Sequence, residues 1–387
     1  MSATCAPPER RRVLLVTERA DFFGGGQRSL LDLAVALRGS PFAPVVVLPG
    51  PGPLTTMLHA AGIETRPLPL PPPGPLRMAR AVPALRALVG LVRLENAAVL
   101  HSDAPRAALY AGLAARLSGR PHLWHLRASV TRSPFADRAI LAITDRVVAV
   151  SRAAAARSGP VSRFRAKEIV PTGIPFPAHL DRAAARRVLG LPAEPFIAGV
   201  VGRVEPDKGG DDAIAAFAAL RAVVPGAILA FLGACDERGV FFAALRRRAG
   251  EAGCGDAVRF LGERADAARL LAAFDLILHP SRHEALPRVL IEALQSGVPV
   301  VAYAVGGVPE VIEDGRTGVL VAPSDAGALA AAAAALAADP IRRARLSHAG
   351  PPRARERFSI ETMSTALTRI YAELAGIALP PALREVA

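Results

Sequence analysis

The sequence predicts an α/β protein made of two doubly wound parallel sheets, and three observations predict it. At 387 residues the chain is long for a single hydrophobic core, so two domains of nearly equal size are the natural expectation. Short apolar runs without polar alternation, the mark of strands covered on both faces, recur along the chain with amphipathic segments of helical period between them. Polar or glycine-rich turns follow several of these runs, at the carboxyl ends of strands where open α/β sheets bind ligands.

Taken in order, residues 13–17 read as a first buried strand, followed by Gly24-Gly25-Gly26 and an amphipathic helix through Leu30, Leu31, Leu33, Ala34 and Leu37. A glycine turn between strand and helix suits a phosphate or a sugar. Its spacing does not fit the dinucleotide fingerprint, which argues against a nicotinamide cofactor. Further strands are expected at 45–48, 97–101, 122–126 and 146–150, and the proline-rich stretch 67–75 is a surface connection. The apolar segment 76–94 carries Arg77, Arg80, Arg86 and Arg93, with Pro83 and Gly90 weakening its helical pattern. It reads either as a helix packed on its own sheet with its arginines in water, or as a segment lying on a membrane surface. His101 and His125 each end a predicted strand, and the loop 128–137 is polar and basic, with Arg132 and Arg138 nearby.

A linker near 175–191 leads to a second sheet at 196–201, 227–232, 257–261, 276–278, 298–303 and 319–321. After its first strand, Arg203 and Lys208 stand five residues apart in a loop. A guanidinium and an ammonium converging on one point suit a diphosphate; the alternative is that both sit in salt bridges with Asp207 and Asp211. The alanine tract 328–338 is too short to cross a bilayer and reads as a surface helix. Phe358-Ser359 is expected to open a last helix running through Ile370 and Tyr371.

Composition narrows the function classes. Apolar residues make up 51% of the chain, which argues against disorder, and three scattered cysteines, Cys5, Cys235 and Cys254, point to a reducing compartment with neither a disulfide scaffold nor a metal-ligand spacing. Arg10-Arg11-Arg12 precedes only four apolar residues, so no secretory signal is expected. The net charge of +13 is unevenly spread: residues 1–190 hold 26 Lys/Arg against 11 Asp/Glu, and residues 191–387 hold 21 against 23. The two halves are therefore expected to meet different partners. With one Trp, three Tyr and no recognition module, a nucleic-acid partner is the least favoured reading.

The stretch from His279 to Glu310 is the most informative. An apolar strand ends in His279-Pro280-Ser281, a helix is expected from Pro287 at its first position to Gly297 just past its end, and a buried strand follows before Gly306-Gly307. Two carboxylates mark this unit, Glu284 in the loop and Glu292 on the helix. Seven intervening residues place them up to roughly 12 Å apart along a helix axis, beyond the about 5 to 9.5 Å used when two carboxylates share one scissile bond. They could instead hold the two ends of an extended ligand, or Glu284 could merely favour a helix N-terminus and Glu292 be a solvated helix residue. Glu292 lies among Val289, Leu290, Ile291, Ala293 and Leu294, and an acid in apolar sequence needs a partner.

Pro280-Ser281, Glu284, Glu292-Ala293, Gly297, Pro299-Val300-Val301-Ala302, Gly306-Gly307 and Glu310 together resemble the signature of glycosyltransferase family 4, retaining nucleotide-sugar transferases of the GT-B fold. The resemblance extends over nearly the whole chain. It implies two facing Rossmann-like domains, an acceptor-binding one over 1–180 and a nucleotide-sugar-binding one over 181–357, with residues 358–387 returning to the first. It implies that Glu284 holds hydroxyls of a donor hexose, that Glu292 holds the ribose, and that Arg203 and Lys208 hold the leaving diphosphate. Backbone N–H groups at Ala285 and Leu286, the Gly25-Gly26 turn and His125 are implied to line the donor. No metal or other cofactor is expected, and the implied partners are a nucleotide sugar and a glycan or lipid-linked acceptor. Separately, the scattered cysteines suggest a cytoplasmic site, and the basic first half, with its arginines along 76–94 and near the loop 128–137, suggests an anionic membrane surface as a further partner. Departures from the family pattern are Glu284-Ala285-Leu286-Pro287, where Glu-Gly-Phe-Gly is common, and Thr172-Gly173-Ile174-Pro175, where Asn-Gly-Ile-Asp is common. A sugar epimerase or phosphorylase on the same fold, and a non-catalytic nucleotide-sugar binder, are the alternatives.

Overall fold

A computed structural model describes residues 10–22, 24–72, 74, 78–131, 133–157 and 167–379. The readings that involve Cys5, Leu76, Arg77 and Arg132 lie outside the described residues. The chain divides into two compact units, one of residues 1–173 with 360–387 and one of residues 174–359.

The first unit carries a seven-stranded sheet: β1 (Arg11–Val16), β2 (Phe42–Leu48), β3 (Glu64–Pro67), β4 (Val99–Ser102), β5 (His122–Leu126), β6 (Arg146–Ala149) and β7 (Lys167–Ile169). Their order is β3-β2-β1-β4-β5-β6-β7, all paired in parallel. The central strands are apolar because helices cover both faces. Val13 and Leu15 pack on one side with Leu30, Leu33 and Leu37 of the helix Gly25–Leu37 and with Met363, Leu367 and Ile370 of the helix Ile360–Ala375. Leu14 and Val16 pack on the other side with Leu88 and Val92 of the helix Met78–Leu94 and Ala107 and Ala111 of the helix Pro105–Ser118. Residues 78–94 are thus a helix packed on its own sheet, with Arg80, Arg86 and Arg93 exposed.

The second unit holds β8 (Ile197–Val201), β9 (Ile228–Leu232), β10 (Val258–Phe260), β11 (Leu276–His279), β12 (Val300–Tyr303) and β13 (Val319–Val321). These pair in parallel in the order β10-β9-β8-β11-β12-β13. In each sheet the strand order reverses once, between β1 and β4 in the first and between β8 and β11 in the second. That reversal opens a crevice at the carboxyl edge, because the connections on its two sides run to opposite faces.

Several elements differ from the sequence reading. The supposed linker contains the helix Arg182–Val188, capped by the Asp181 side chain. Its Arg186 is fully buried, bonded to Asp275 and to the carbonyls of Ala273 and Pro195. The alanine tract forms the helix Ala326–Ala338, whose Leu329, Ala333 and Leu336 are buried, so one face is core rather than surface. Pro287 lies one residue ahead of the helix Arg288–Gln295, with extended ψ, while Gly297 does take the left-handed conformation after it. Phe358 ends the helix Pro340–Phe358; Ser359 is extended, and the last helix starts at Ile360. Tyr371 on that helix meets Phe42 of β2 edge to face, with ring centroids 5.5 Å apart.

Candidate active site

At the β8/β11 crevice two loops interlock. The loop after β8 runs through Arg203 to Lys208, and the loop after β11 carries Ser281 to Pro287. Arg282 N donates to Asp207 O at 2.8 Å, tying the loops together. Gly209, in the left-handed region, brings its backbone against Pro280, where an added Cβ would sit 2.1 Å from the Pro280 carbonyl oxygen. Gly306, also left-handed, does the same to Glu284, at 1.8 Å from its carbonyl oxygen, and Gly307 N donates to that oxygen. Any side chain at either position would displace the loop that carries Glu284.

Within this frame Lys208 Nζ donates to Glu284 Oε1 at 2.7 Å, and Ser281 Oγ donates to the same oxygen at 2.8 Å. His279 Nε2 lies 3.3 Å from it. Burial by itself would raise the Glu284 carboxyl; the contacts to His279 and Lys208 outweigh burial and hold it at about 2. Glu284 is therefore an ionised, hydrogen-bond-accepting group at neutral pH, unsuited to donating a proton. The sequence reading placed Lys208 on a diphosphate or on Asp207 and Asp211. In the structure its carboxylate partner is Glu284, 76 residues along the chain, rather than Asp207 or Asp211.

Arg203 lies on the same loop, and its guanidinium pairs with Glu205. Asp211 and Asp212 open the helix Gly210–Val223 and both pair with Arg282, whose guanidinium also donates to Pro206 O at 2.6 Å. Tyr303 at the end of β12 donates to Asp212 Oδ2 at 3.0 Å. Burial, and then that hydrogen bond, raise the Tyr303 phenol above its ordinary value, so it stays a donor. This Arg282–Asp212–Tyr303 network fixes the two loops relative to each other, and the sequence reading missed it. A tyrosine ending a strand, in a chain with three tyrosines, was the available signal.

Glu292 stands on the helix Arg288–Gln295 with its side chain 18% exposed, and Arg288 Nη2 lies 3.7 Å from its Oε1. It is thus partly buried and paired rather than solvated. The Leu286 side chain is buried, so any role it has toward a ligand falls to its backbone, as it does for Ala285 beside it.

Gly25, Gly26 and His125 belong to the first unit. Gly25 begins the helix Gly25–Leu37, which has no side chain capping its amino end, and a side chain at Gly26 would meet nothing within 4 Å. At the β1/β4 crevice His125 is fully buried; its Nδ1 lies 3.3 Å from His101 Nε2, and His101 Nδ1 lies 2.5 Å from Tyr371 Oη. Beside them Asp103, which follows β4, has its carboxyl pushed up to about 6 by burial, with Arg127 opposing and Glu18 adding to the shift. Asp103, Arg127 and Tyr371 were not singled out in the sequence for this place. Short runs of polar residues at strand ends carry too little pattern to separate them from loop residues.

The glycosyltransferase family 4 model matches residues 23–176, and the model described as glycosyl transferases group 1 matches residues 181–353, so between them they span both units. The chain belongs to glycosyltransferase family 4. It is 35% identical over 204 residues to a lipopolysaccharide core biosynthesis mannosyltransferase, LpsB, of Rhizobium meliloti, covering 51% of this chain and 58% of the relative. It is 33% identical over 277 residues to a D-inositol 3-phosphate glycosyltransferase of Stackebrandtia nassauensis, covering 64% of this chain and 62% of the relative. This family member therefore spans about three fifths of the length of those two curated relatives. Among solved structures, Anabaena Alr3699/HepE in complex with UDP-glucose superposes with a TM-score of 0.81 at 24% identity, over 94% of this chain and 99% of that one. WaaG, a glycosyltransferase involved in lipopolysaccharide biosynthesis, superposes with a TM-score of 0.68 at 20% identity, over 93% and 99%. The two parallel sheets with their covering helices are those of the GT-B fold.

Proposed function

We propose that this chain is a retaining hexosyltransferase that moves a sugar from a nucleoside diphosphate donor to an envelope-type acceptor, and that it does so without a divalent metal. The observation that carries the reading is the partly buried Lys208–Glu284–Ser281 cluster at the β8/β11 crevice. A carboxylate held ionised there accepts hydrogen bonds from sugar hydroxyls and cannot protonate a leaving group. Lys208 and Arg203, each already beside a carboxylate, supply the positive charge that a departing diphosphate needs, a role that a metal ion would otherwise fill. Glu292 accepts from ribose hydroxyls. The expected reaction is displacement on the front face of the sugar: the acceptor oxygen bonds to the anomeric carbon as the carbon–phosphate oxygen bond breaks, and the departing phosphate oxygen takes the acceptor proton.

Support for an envelope acceptor comes from the likeness to the lipopolysaccharide core biosynthesis mannosyltransferase LpsB and from the basic character of the first half of the chain. No helix among the described residues is long and apolar enough to cross a membrane. Phe135 is 84% exposed and Val130 57% exposed, close in sequence to exposed Arg138, which suits reversible docking on an anionic leaflet at the cytoplasmic side. Co-sedimentation with anionic vesicles over a salt series tests the docking: loss of binding as salt rises is expected, and a protein that stays in the supernatant at low salt contradicts it.

The transferase reading is tested by thermal shift over UDP-, GDP-, ADP- and TDP-hexoses, followed by product analysis with the donor that stabilises the protein. Transfer with retained anomeric configuration is the expected result. Epimerised donor or free sugar phosphate as the only product would replace it with an epimerase or phosphorylase, and donor binding with no turnover would leave a nucleotide-sugar binder.

A further inference from the structure

The buried histidines of the first unit form a directed chain. On β4 and β5, His101 is in register with Leu123, so His125 two residues on shares its face of the sheet. Both rings are inaccessible to solvent, His101 at 2% exposure and His125 at 0%. Burial, and then the charge of Arg127, push both imidazoles well below their ordinary range, so each is neutral, with one N–H and one lone pair.

Three contacts then fix where the protons sit. Arg127 Nη2 lies 3.4 Å from His125 Nδ1, and a guanidinium can only donate, so that nitrogen offers its lone pair. His101 Nε2 lies 3.3 Å from the same nitrogen, and two lone pairs would repel, so His101 carries its proton on Nε2. His101 Nδ1 is left as an acceptor for the Tyr371 hydroxyl at 2.5 Å, a phenol that burial keeps protonated. The proton of His125 is therefore on Nε2, which is buried and has no hydrogen-bond partner among the described residues. Orphaned buried donors are rare and need an acceptor.

We propose that Tyr371 and His101 are positioning residues that lock His125 as an Nε2–H donor, so that, once a side-chain movement uncovers Nε2, it donates to an oxygen of a sugar hydroxyl or a phosphate and does not act as a general base. The role assigned to the bound oxygen rests on the transferase reading, whereas the proton arrangement does not. The lock is also long-range in sequence: Tyr371 lies 270 residues from His101, on the helix that returns to the first unit.

Long-range proton–nitrogen correlation spectra of the free full-length protein, with 15N-labelled histidine, read the tautomers directly and need no donor. The expected result is Nε2–H at both His101 and His125, constant from pH 6 to 8. Tyr371→Phe, which removes only the hydroxyl, is expected to give mixed tautomers at His101. A wild-type protein with His125 protonated on Nδ1, or signals unchanged in Tyr371→Phe, overturns the lock. If that variant does not fold, the wild-type spectrum alone decides. In the transfer assay, His125→Gln, which keeps a donor, is expected to retain activity within about 3-fold, while His125→Ala loses about 10-fold, the worth of one neutral hydrogen bond. Equal, severe losses in both would overturn the donor role. A protein with the expected tautomers and no transfer activity would instead remove the transferase reading and leave the lock standing.

Discussion

The two crevices of this molecule share a topology and differ in chemistry. Each lies where the strand order of a parallel sheet reverses, β1/β4 in the first unit and β8/β11 in the second. The second gathers ionised groups that neutralise one another: Lys208 with Glu284, and Arg282 with Asp211 and Asp212. The first places neutral imidazoles at its floor, with one donor left over. The difference teaches that the same backbone crevice can be furnished with mutually paired ions or floored with neutral imidazoles, depending on which side chains the strand ends carry.

Removing one member from each crevice should separate them most. Glu284→Ala leaves Lys208 without its carboxylate and removes the contacts proposed to the donor sugar, and transfer is expected to fall by about 100-fold. The neutral hydrogen bond lost in His125→Ala should cost about a tenth of that. Steady-state rates of the two variants under matched conditions make the comparison, and a larger loss at His125 would break it.

Acid and base titration of stability should give slopes of opposite sign. Glu284 is held at about 2, below its unfolded value of 4.5, so its contribution is fully present above about pH 4.5 and disappears as pH falls through about 2. The stability difference between wild type and Glu284→Gln at pH 6 should be on the order of 3 kcal/mol and shrink toward acid. Asp103 has its pKa raised to about 6, so the folded state holds a proton that the unfolded chain has lost, and stability falls as pH rises from about 4 to about 6. Asp103→Asn should therefore gain on wild type as pH rises through that window. Denaturant unfolding from pH 3 to 8 shows whether the two slopes differ in sign.

The smallest expected effect is that of a chelator. If Lys208 and Arg203 carry the charge of the leaving group, as proposed, excess chelator should leave the transfer rate unchanged. Complete loss that magnesium or manganese restores would show that the second crevice needs an ion as well.

How much of this was legible in the sequence differs by region for physical reasons. Central strands such as β1, β5, β8 and β11 announced themselves because both faces are covered and apolar residues dominate them. The edge strands β3 and β7 did not, because their sequences Glu64-Thr65-Arg66 and Lys167-Glu168-Ile169 are mostly polar, and β3 is held partly by the Arg12–Glu64 and Arg66–Glu95 pairs. The helix Arg182–Val188 was read as linker because its anchor is a buried arginine, which no hydrophobic period records. At the site, Glu284, Glu292, Arg203 and Lys208 were picked out by spacing. Their actual partners could not be, since Lys208 and Glu284 meet only through the sheet order that sets β8 beside β11. Tyr371 is the extreme case: its hydroxyl meets a ring 270 positions away, on a helix that the pattern marked but whose polar contact it could not.

The central claim, that the second crevice holds a nucleotide sugar with separate groups for its two ends, is tested most directly by one set of calorimetric titrations. The stabilising nucleotide sugar and its bare nucleoside diphosphate are each titrated into wild type, Glu284→Gln and Glu292→Ala. Glu292→Ala should weaken both ligands by a similar factor, about 10-fold for a hydrogen-bonded ribose. Glu284→Gln should weaken the nucleotide sugar and leave the bare nucleotide nearly unchanged. Equal losses of the bare nucleotide in both variants, or no loss of the sugar donor in Glu284→Gln, would contradict the account.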